Sequence, residues 1–290
     1  MPELPEVEGV VRDLKPLVEG KRIETVSVSE TVYNSHAAGK QSIVKASEPA
    51  DFELVMSGMT IDRIERRAKY IFMHLTRDVE TFVLVNHLGM TGAWFVVHDV
   101  LEIAEEKFRK HIHAIFKLNS GELLVYSDIR RFGELRFVKE ISQHTPLTQM
   151  APEPFDEDAC DFFLAKSKTP RYEKKPIKEV IMDGQVISGC GNIYATEALF
   201  AVGISPLKKT GSLTKAKKVE LFEAIAAVLR ESIENGGSTI SDYRSVNGGA
   251  GSMQDRLKMY SKKFCPKCKG ETKAVVIAGR TSTYCPSCQR

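Results

Sequence analysis

The chain has 290 residues, 42% of them hydrophobic and 27% charged, with a formal net charge of +3. That is enough length and apolar content for two domains with proper cores, and no run approaches the ~18 apolar residues of a membrane-spanning helix. The N-terminus lacks a basic stretch followed by an apolar one, so it does not read as a secretory signal, and a soluble intracellular protein is expected.

The opening stretch "MPELPEVEG" reads as a helix entered from an extended tip. Leu4, Val7, Val11 and Leu14 share one face at helical spacing over residues 5–14. Pro5 suits the first helical turn, and Glu6 and Glu8 suit the positive end of the helix dipole. Leu4 precedes a proline and is pushed toward extended geometry, which leaves Pro2 and Glu3 on the tip. Strand signals then dominate to about residue 140: "IETVSVS", "YIFMHL", "TFVLVNHL", "HIHAIFKL", "ELLVYS" and "ELRFV" are short, β-branched or aromatic, and often alternating. They predict a sandwich or barrel-like β domain. Residues 141–160, with prolines, hydroxyls and an acid cluster, read as a linker.

Beyond residue 160 the pattern turns helical. Phe222, Ile225, Leu229 and Ile233 form one face of a long helix, with Ser212 or Thr214 to cap it and Gly236–Gly237 to end it. A glycine-rich loop follows at about 240–256. The charge also changes sign: residues 1–160 carry 19 Lys and Arg against 26 Asp and Glu, residues 161–290 carry 22 against 12. The C-terminal half therefore reads either as a surface for a polyanion or as a basic solvated one.

Four of six cysteines are paired, as "CPKC" (Cys265, Cys268) and "CPSC" (Cys285, Cys288), with 16 residues between the pairs. That spacing is the signature of a structural zinc site, in which four thiolates close a tetrahedral shell. The alternative, two disulfides, suits a secreted chain rather than this one. The segment is rich in lysine, so a basic ribbon for nucleic acid and a solvated basic tail both remain open. "GCGNIYATEALF" (189–200) places glycines before a helix that Asn192 can cap, an arrangement that offers backbone N–H groups to an anion. "NHLGMTG" and "DIRRFG" put Met90 and Arg130, Arg131 and Phe132 at turns, where they could wedge into a base stack and bond an orphaned base. Taken singly, Met90 and Phe132 also read as core residues.

"MPELPEVE", "RRAKY" (66–70), "HLGM", "RRFG", "APEPF", "GCGNIYATEALF" and the cysteine pattern occur together and in order. The set closely resembles the formamidopyrimidine-DNA glycosylase (Fpg/MutM) family from residue 2 to residue 290. The resemblance implies an α+β multidomain protein: an N-terminal β-sandwich with its N-terminal helix (1–140), a linker (141–160), a helical helix–two-turn–helix domain (161–260) and a zinc ribbon (261–290). It implies a monomer in the bacterial cytoplasm, associated with the nucleoid, that binds damaged double-stranded DNA in a cleft between lobes. Such an enzyme flips out an oxidised purine, a formamidopyrimidine or 8-oxoguanine opposite cytosine, removes it, and cuts the backbone by β- and δ-elimination.

By the same resemblance Pro2, exposed once Met1 is removed, is the nucleophile. Glu3 is the proton donor and shuttle, and Lys69 holds a phosphate and assists. Met90, Arg130 and Phe132, flanked by Arg131, fill the vacated space. Asn192, Tyr194, Tyr260 and Arg280 bind phosphates, and the loop at 240–256 covers the extruded base. Amine chemistry agrees with this assignment. A terminal amine titrates near 8 and a lysine near 10.4, so at pH 7 roughly 10% of the former is free against under ~0.1% of the latter. A secondary amine also gives a permanently cationic iminium, an electron sink for elimination. Gly9, where relatives commonly carry threonine, and Ile129, where they carry proline, depart from the pattern and bear on lesion preference. The alternatives are an endonuclease VIII-like enzyme for oxidised pyrimidines, a catalytically silent DNA-binding relative, and a plain zinc-ribbon module.

Overall fold

The computed structural model describes residues 2–238, 246–248 and 251–290. They form two compact units, Met1–Thr148 with Gly236–Ser252, and Gln149–Asn235 with Met253–Arg290. Much of the loop expected at 240–256 lies outside the described residues. No helix among those described is long and apolar enough to cross a membrane.

The first unit opens with α1 (Leu4–Val18), four residues longer at its C-terminus than its periodicity predicts and one longer at its N-terminus, where Leu4 is helical and Glu3 is the extended cap. Leu4, Val7, Val11 and Leu14 are all buried, as their spacing requires. Then come β1 (Ile23–Val28), α2 (Glu30–Ala37), β2 (Ile43–Lys45), α3 (Pro49–Met56), β3 (Thr60–Arg67), β4 (Tyr70–Arg77), β5 (Glu80–His87), β6 (Gly92–Val97), α4 (Glu106–Arg109), β7 (Ile112–Leu118), β8 (Leu123–Asp128), β9 (Glu134–Val138) and α5 (Thr145–Thr148). They make a four-stranded sheet in the order β1-β7-β8-β6 and a five-stranded sheet in the order β2-β9-β5-β4-β3. Every pairing is antiparallel except β2 with β9.

One core joins the two sheets and α1, and Val246 packs into it. Trp94 lies at its centre, 4.9 Å from the Tyr126 ring and 5.9 Å from that of Phe116. Its indole N–H donates to Asn86 Oδ1 (2.9 Å), and the Asn86 amide donates to the Glu134 carbonyl (2.9 Å). Thus Asn86 on β5 ties β6 of one sheet to β9 of the other. Deleting it would strand a buried indole N–H, at a cost of about 1–3 kcal/mol.

The second unit holds α6 (Ala159–Lys166), α7 (Ile177–Ile181), α8 (Asn192–Ala201), α9 (Lys215–Glu234), α10 (Met253–Arg256) and a hairpin of β10 (Lys273–Ile277) and β11 (Arg280–Tyr284). Helix α9 is capped by Thr214, which accepts from the Lys217 N–H, and the chain leaves it through Gly236 and Gly237 at φ +73° and +77°. The hairpin turn, Ala278–Gly279, has both residues at positive φ. Helix α8 is buried on all sides, and the cysteine segment packs on its end: Phe200 clusters with Met259, Cys265 and Cys285.

Burial lowers the pKa of three histidines in the first unit. Burial first, then the Lys69 charge, push His87 down to about 4, and its Nδ1 accepts the Gly89 N–H (3.1 Å). Burial also lowers His113 and His144. The unfolded chain takes up protons near pH 6.5 that these folded imidazoles refuse, so stability is complete above that pH and is lost as pH falls toward 4. The melting temperature followed against pH should therefore drop between about pH 6.5 and 4. His87→Asn should flatten that slope, and an unaltered slope in the variant would contradict the assignment.

Candidate functional site

The N-terminal tip is fixed by a carboxylate it does not itself display. Pro2 is buried, and Glu3, 3% exposed, is the extended N-cap of α1. The Glu3 N–H donates to Glu6 Oε2 (2.8 Å), which forms part of a capping box. The other oxygen, Glu6 Oε1, accepts the Ser238 N–H (2.7 Å) and hydroxyl (3.1 Å). Gly237 lies so close that a Cβ there would sit 3.1 Å from Glu6 Oε1. Glu6 is therefore more than a dipole partner. It joins the tip to the strand of chain that follows α9.

Glu8 does a second joining task. Its carboxylate meets Arg66 Nε at 2.5 Å, and Arg66 Nη1 donates to the Ala68 carbonyl (3.2 Å). Ala68, at φ +52°, and Lys69 form the tight turn between β3 and β4. The helix that carries Pro2 and Glu3 thus also grips the turn that carries Lys69, which is half-buried.

A second pair of loops meets around Asp128, which is fully buried. Its Oδ1 accepts from Thr91 Oγ1 (2.5 Å) and from the Arg130 N–H (3.2 Å); its Oδ2 accepts from the Gly133 N–H (2.7 Å). Thr91 belongs to the turn that bears Met90, and Arg130 and Gly133 to the turn that bears Arg130, Arg131 and Phe132. Phe132 is 59% exposed, and the Arg130 guanidinium lies 4.7 Å from its ring centre. So Phe132 is not a core residue, the reading its type alone favours, and Met90 is half-buried beside it.

In the second unit Asn192 is the first residue of α8 and not its cap, which is Gly191. Its side-chain NH2 donates to the Thr281 carbonyl (2.9 Å), next to exposed Arg280 at the head of β11. Lys178, fully buried, donates to the Asn192 carbonyl (3.0 Å) and to Thr196 Oγ1. Tyr194 does not reach the surface. Its side chain is fully buried, and its hydroxyl lies 2.6 Å from Ser232 Oγ on α9, so the ring packs two helices together. Tyr260 is half-buried, held through its backbone: Glu197 on α8 accepts the N–H groups of Lys258 (2.7 Å), Met259 (2.8 Å) and Tyr260 (2.7 Å).

The four cysteine sulfurs lie within 4.8 Å of one another, with Cys265 and Cys288 3.8 Å apart and Cys268 and Cys285 3.5 Å apart. A tetrahedron with Zn–S bonds of about 2.3 Å has edges of ~3.8 Å, so the set fits one structural zinc ion. Burial pushes the Cys265 thiol up, but the N–H groups of Cys268 and Lys267 and the neighbouring thiols outweigh it and bring it down to about 7.

Sequence reasoning missed Thr91, Asp128, Glu197, Arg66, Ser238 and His87. Each acts through backbone groups or through another side chain, and no periodicity or spacing marks such a residue.

Family models match the chain in three consecutive stretches. Residues 1–135 match the formamidopyrimidine-DNA glycosylase N-terminal domain, 150–244 its H2TH domain, and 262–290 the zinc finger found in FPG and IleRS. Among curated relatives, the formamidopyrimidine-DNA glycosylase of Brevibacillus brevis is 38% identical, with 100% of this chain and 99% of that protein covered. That of Ectopseudomonas mendocina is 37% identical, with both covered completely. Among solved structures, a Lactococcus lactis FPG mutant in complex with DNA containing Fapy-dG superposes with a TM-score of 0.83 at 30% identity, over the whole of both chains. MutM from Thermus thermophilus superposes with 0.82 at 32% identity, covering 99% of this chain and 98% of that one. Matched end to end in sequence and in fold, this chain belongs to the formamidopyrimidine-DNA glycosylase family.

Proposed function

We propose that this chain is a DNA glycosylase of base excision repair that removes oxidised purines, formamidopyrimidines and 8-oxoguanine, and then cleaves the strand at the abasic sugar. The observation that carries the reading is the construction at the N-terminus. Pro2, whose nitrogen becomes a secondary amine once Met1 is removed, and the buried Glu3 stand at the head of one helix, and that helix holds the lysine turn through Glu8 and Arg66. A scaffold that rigidly brings an amine, a carboxyl and an ammonium under one helix suits amine-based lyase chemistry.

In this mechanism Pro2 N attacks the anomeric carbon of the flipped nucleotide, and the glycosidic bond breaks as the base leaves. Glu3 gives a proton to the sugar ring oxygen, the ring opens, and an iminium forms on Pro2. The cationic iminium acidifies the neighbouring C–H, so loss of that proton expels the 3′ phosphate and a second elimination expels the 5′ phosphate. Lys69 holds a phosphate beside the reacting sugar. Met90, Arg130 and Phe132 occupy the space the flipped base leaves, with Arg131 on the adjoining backbone. Asn192, Tyr260 and Arg280 contact phosphates, whereas the buried Tyr194 ring packs against Ser232. Cys265, Cys268, Cys285 and Cys288 hold a zinc ion whose role is to fold the ribbon. The enzyme acts as a monomer in the bacterial cytoplasm, on nucleoid DNA.

Borohydride trapping on duplexes bearing 8-oxoguanine opposite cytosine, or an abasic site, should give a covalent adduct that maps to Pro2. Pro2→Gly should reduce trapping about tenfold or more, and an undiminished adduct in that variant would contradict the assignment. Cys285→Ser should lose zinc and, with it, about tenfold or more in affinity for an abasic-site duplex at fixed salt. Full affinity in a zinc-free protein would show that the ribbon is dispensable for binding.

A further inference from the structure

We propose that Thr91 and Asp128 are positioning residues that weld the Met90 turn to the Arg130–Phe132 turn, and that this weld sets the rate at which duplex DNA is opened at the lesion. The proposal rests on the functional reading above and adds to it the question of how the wedge is held before DNA arrives.

Prising a base from a stacked duplex is uphill, and the inserted side chains must offset that cost. Two separate mobile turns would lose conformational freedom on insertion and so would contribute less. Here hydrogen bonds already join the two turns. The buried Asp128 carboxylate collects Thr91 Oγ1 from one turn and the Arg130 and Gly133 N–H groups from the other. Thr91 Oγ1 in its turn accepts the Arg130 N–H (2.9 Å), so the hydroxyl bridges the two turns as donor and acceptor at once.

The backbones themselves touch. A Cβ at Gly89 would lie 2.5 Å from Gly133 N and from Phe132 C, and one at Gly133 would collide with the Tyr126 hydroxyl beneath it. Polar groups are thereby spent inward, and the functional side chains are left outward. The Arg130 guanidinium already stacks on the Phe132 ring, and Arg131 between them takes φ +57° to permit the turn. The Thr91 hydroxyl makes both of its bonds across the two turns, so they can be removed with little change in volume.

The test compares Thr91→Val and Thr91→Ser with the wild type. One readout is the stopped-flow rise of 2-aminopurine fluorescence beside 8-oxoguanine in a duplex. The other is borohydride trapping on an abasic site in duplex and in single-stranded oligonucleotide. Thr91→Val should slow the fluorescence rise tenfold or more. Its loss of trapping on the duplex should exceed its loss on the single strand by a similar factor, because the single strand has no stack to open. Thr91→Ser should recover most of both. A general loss of folding lowers duplex and single-strand trapping alike, so equal losses would overturn the proposal, as would a wild-type rate in Thr91→Val or a failure of Thr91→Ser to recover. A wild-type protein that traps on no substrate would instead overturn the functional reading itself, and this proposal with it.

Discussion

A carboxylate buried away from water must find hydrogen-bond donors inside the protein, and this chain supplies them from the backbone of the segments that carry its functional residues. Glu6 gathers Glu3 and Ser238, Asp128 gathers Arg130 and Gly133 with the Thr91 hydroxyl, and Glu197 gathers Lys258, Met259 and Tyr260. Each carboxylate fixes the path of a loop that has no regular secondary structure of its own. The requirement runs both ways. The loop N–H groups would be orphaned without the carboxylate, and the carboxylate would be an uncompensated buried acceptor without the loop. Losing one partner costs about 1–3 kcal/mol, enough to populate alternative loop paths. The loops are held in shape before any substrate is bound, and preorganisation of this kind is where much of a catalyst's advantage lies.

The regular elements anchor these carboxylates. Glu6 and Glu8 sit on α1, whose apolar face is locked into the sandwich core. Asp128 ends β8, with its own carbonyl accepting from His113 Nε2 (3.0 Å), so its side chain is aimed from the end of a paired strand. Glu197 is at the middle of α8, and the same helix receives the cysteine segment at one end and the Asn192–Thr281 bond at the other. The chemistry-bearing side chains are therefore displayed on short turns, while the groups that position them belong to strands and helices.

Much of this was legible in the sequence. Alternation and β-branching located β1, β4, β5, β7, β8 and β9, and helical spacing located α1 and α9. Three strands were not legible, for physical reasons. β3 (TIDRIERR) is heavily charged, and a bulge between Ile61 and Arg63 shifts its alternation. β6 (GAWFVV) is buried on both faces and so shows no period of two. β2 has three residues and takes its stability from a parallel partner. At the site, the cysteine spacing located the four-sulfur cluster, and two readings need restating. The resemblance made Tyr194 a phosphate contact, and its side chain is buried against Ser232. Asn192 looked like a cap, yet it follows the cap and reaches toward the β10–β11 hairpin. Glu197 gave no sign, because the N–H groups it binds are more than 60 residues away in sequence, and Thr91 gave none because its partner Asp128 is brought near only by the fold.

Amide hydrogen exchange of the free protein tests this account most directly. The N–H groups of Arg130, Gly133, Ser238, Lys258, Met259 and Tyr260 lie in turns and irregular segments, where exchange is ordinarily fast. If the buried carboxylates hold these loops, their exchange without DNA should be slowed by a factor on the order of 100 or more relative to an unstructured peptide. Exchange within about tenfold of the unstructured rate at these amides, with the core strands protected, would show that the loops are not preformed and would contradict it.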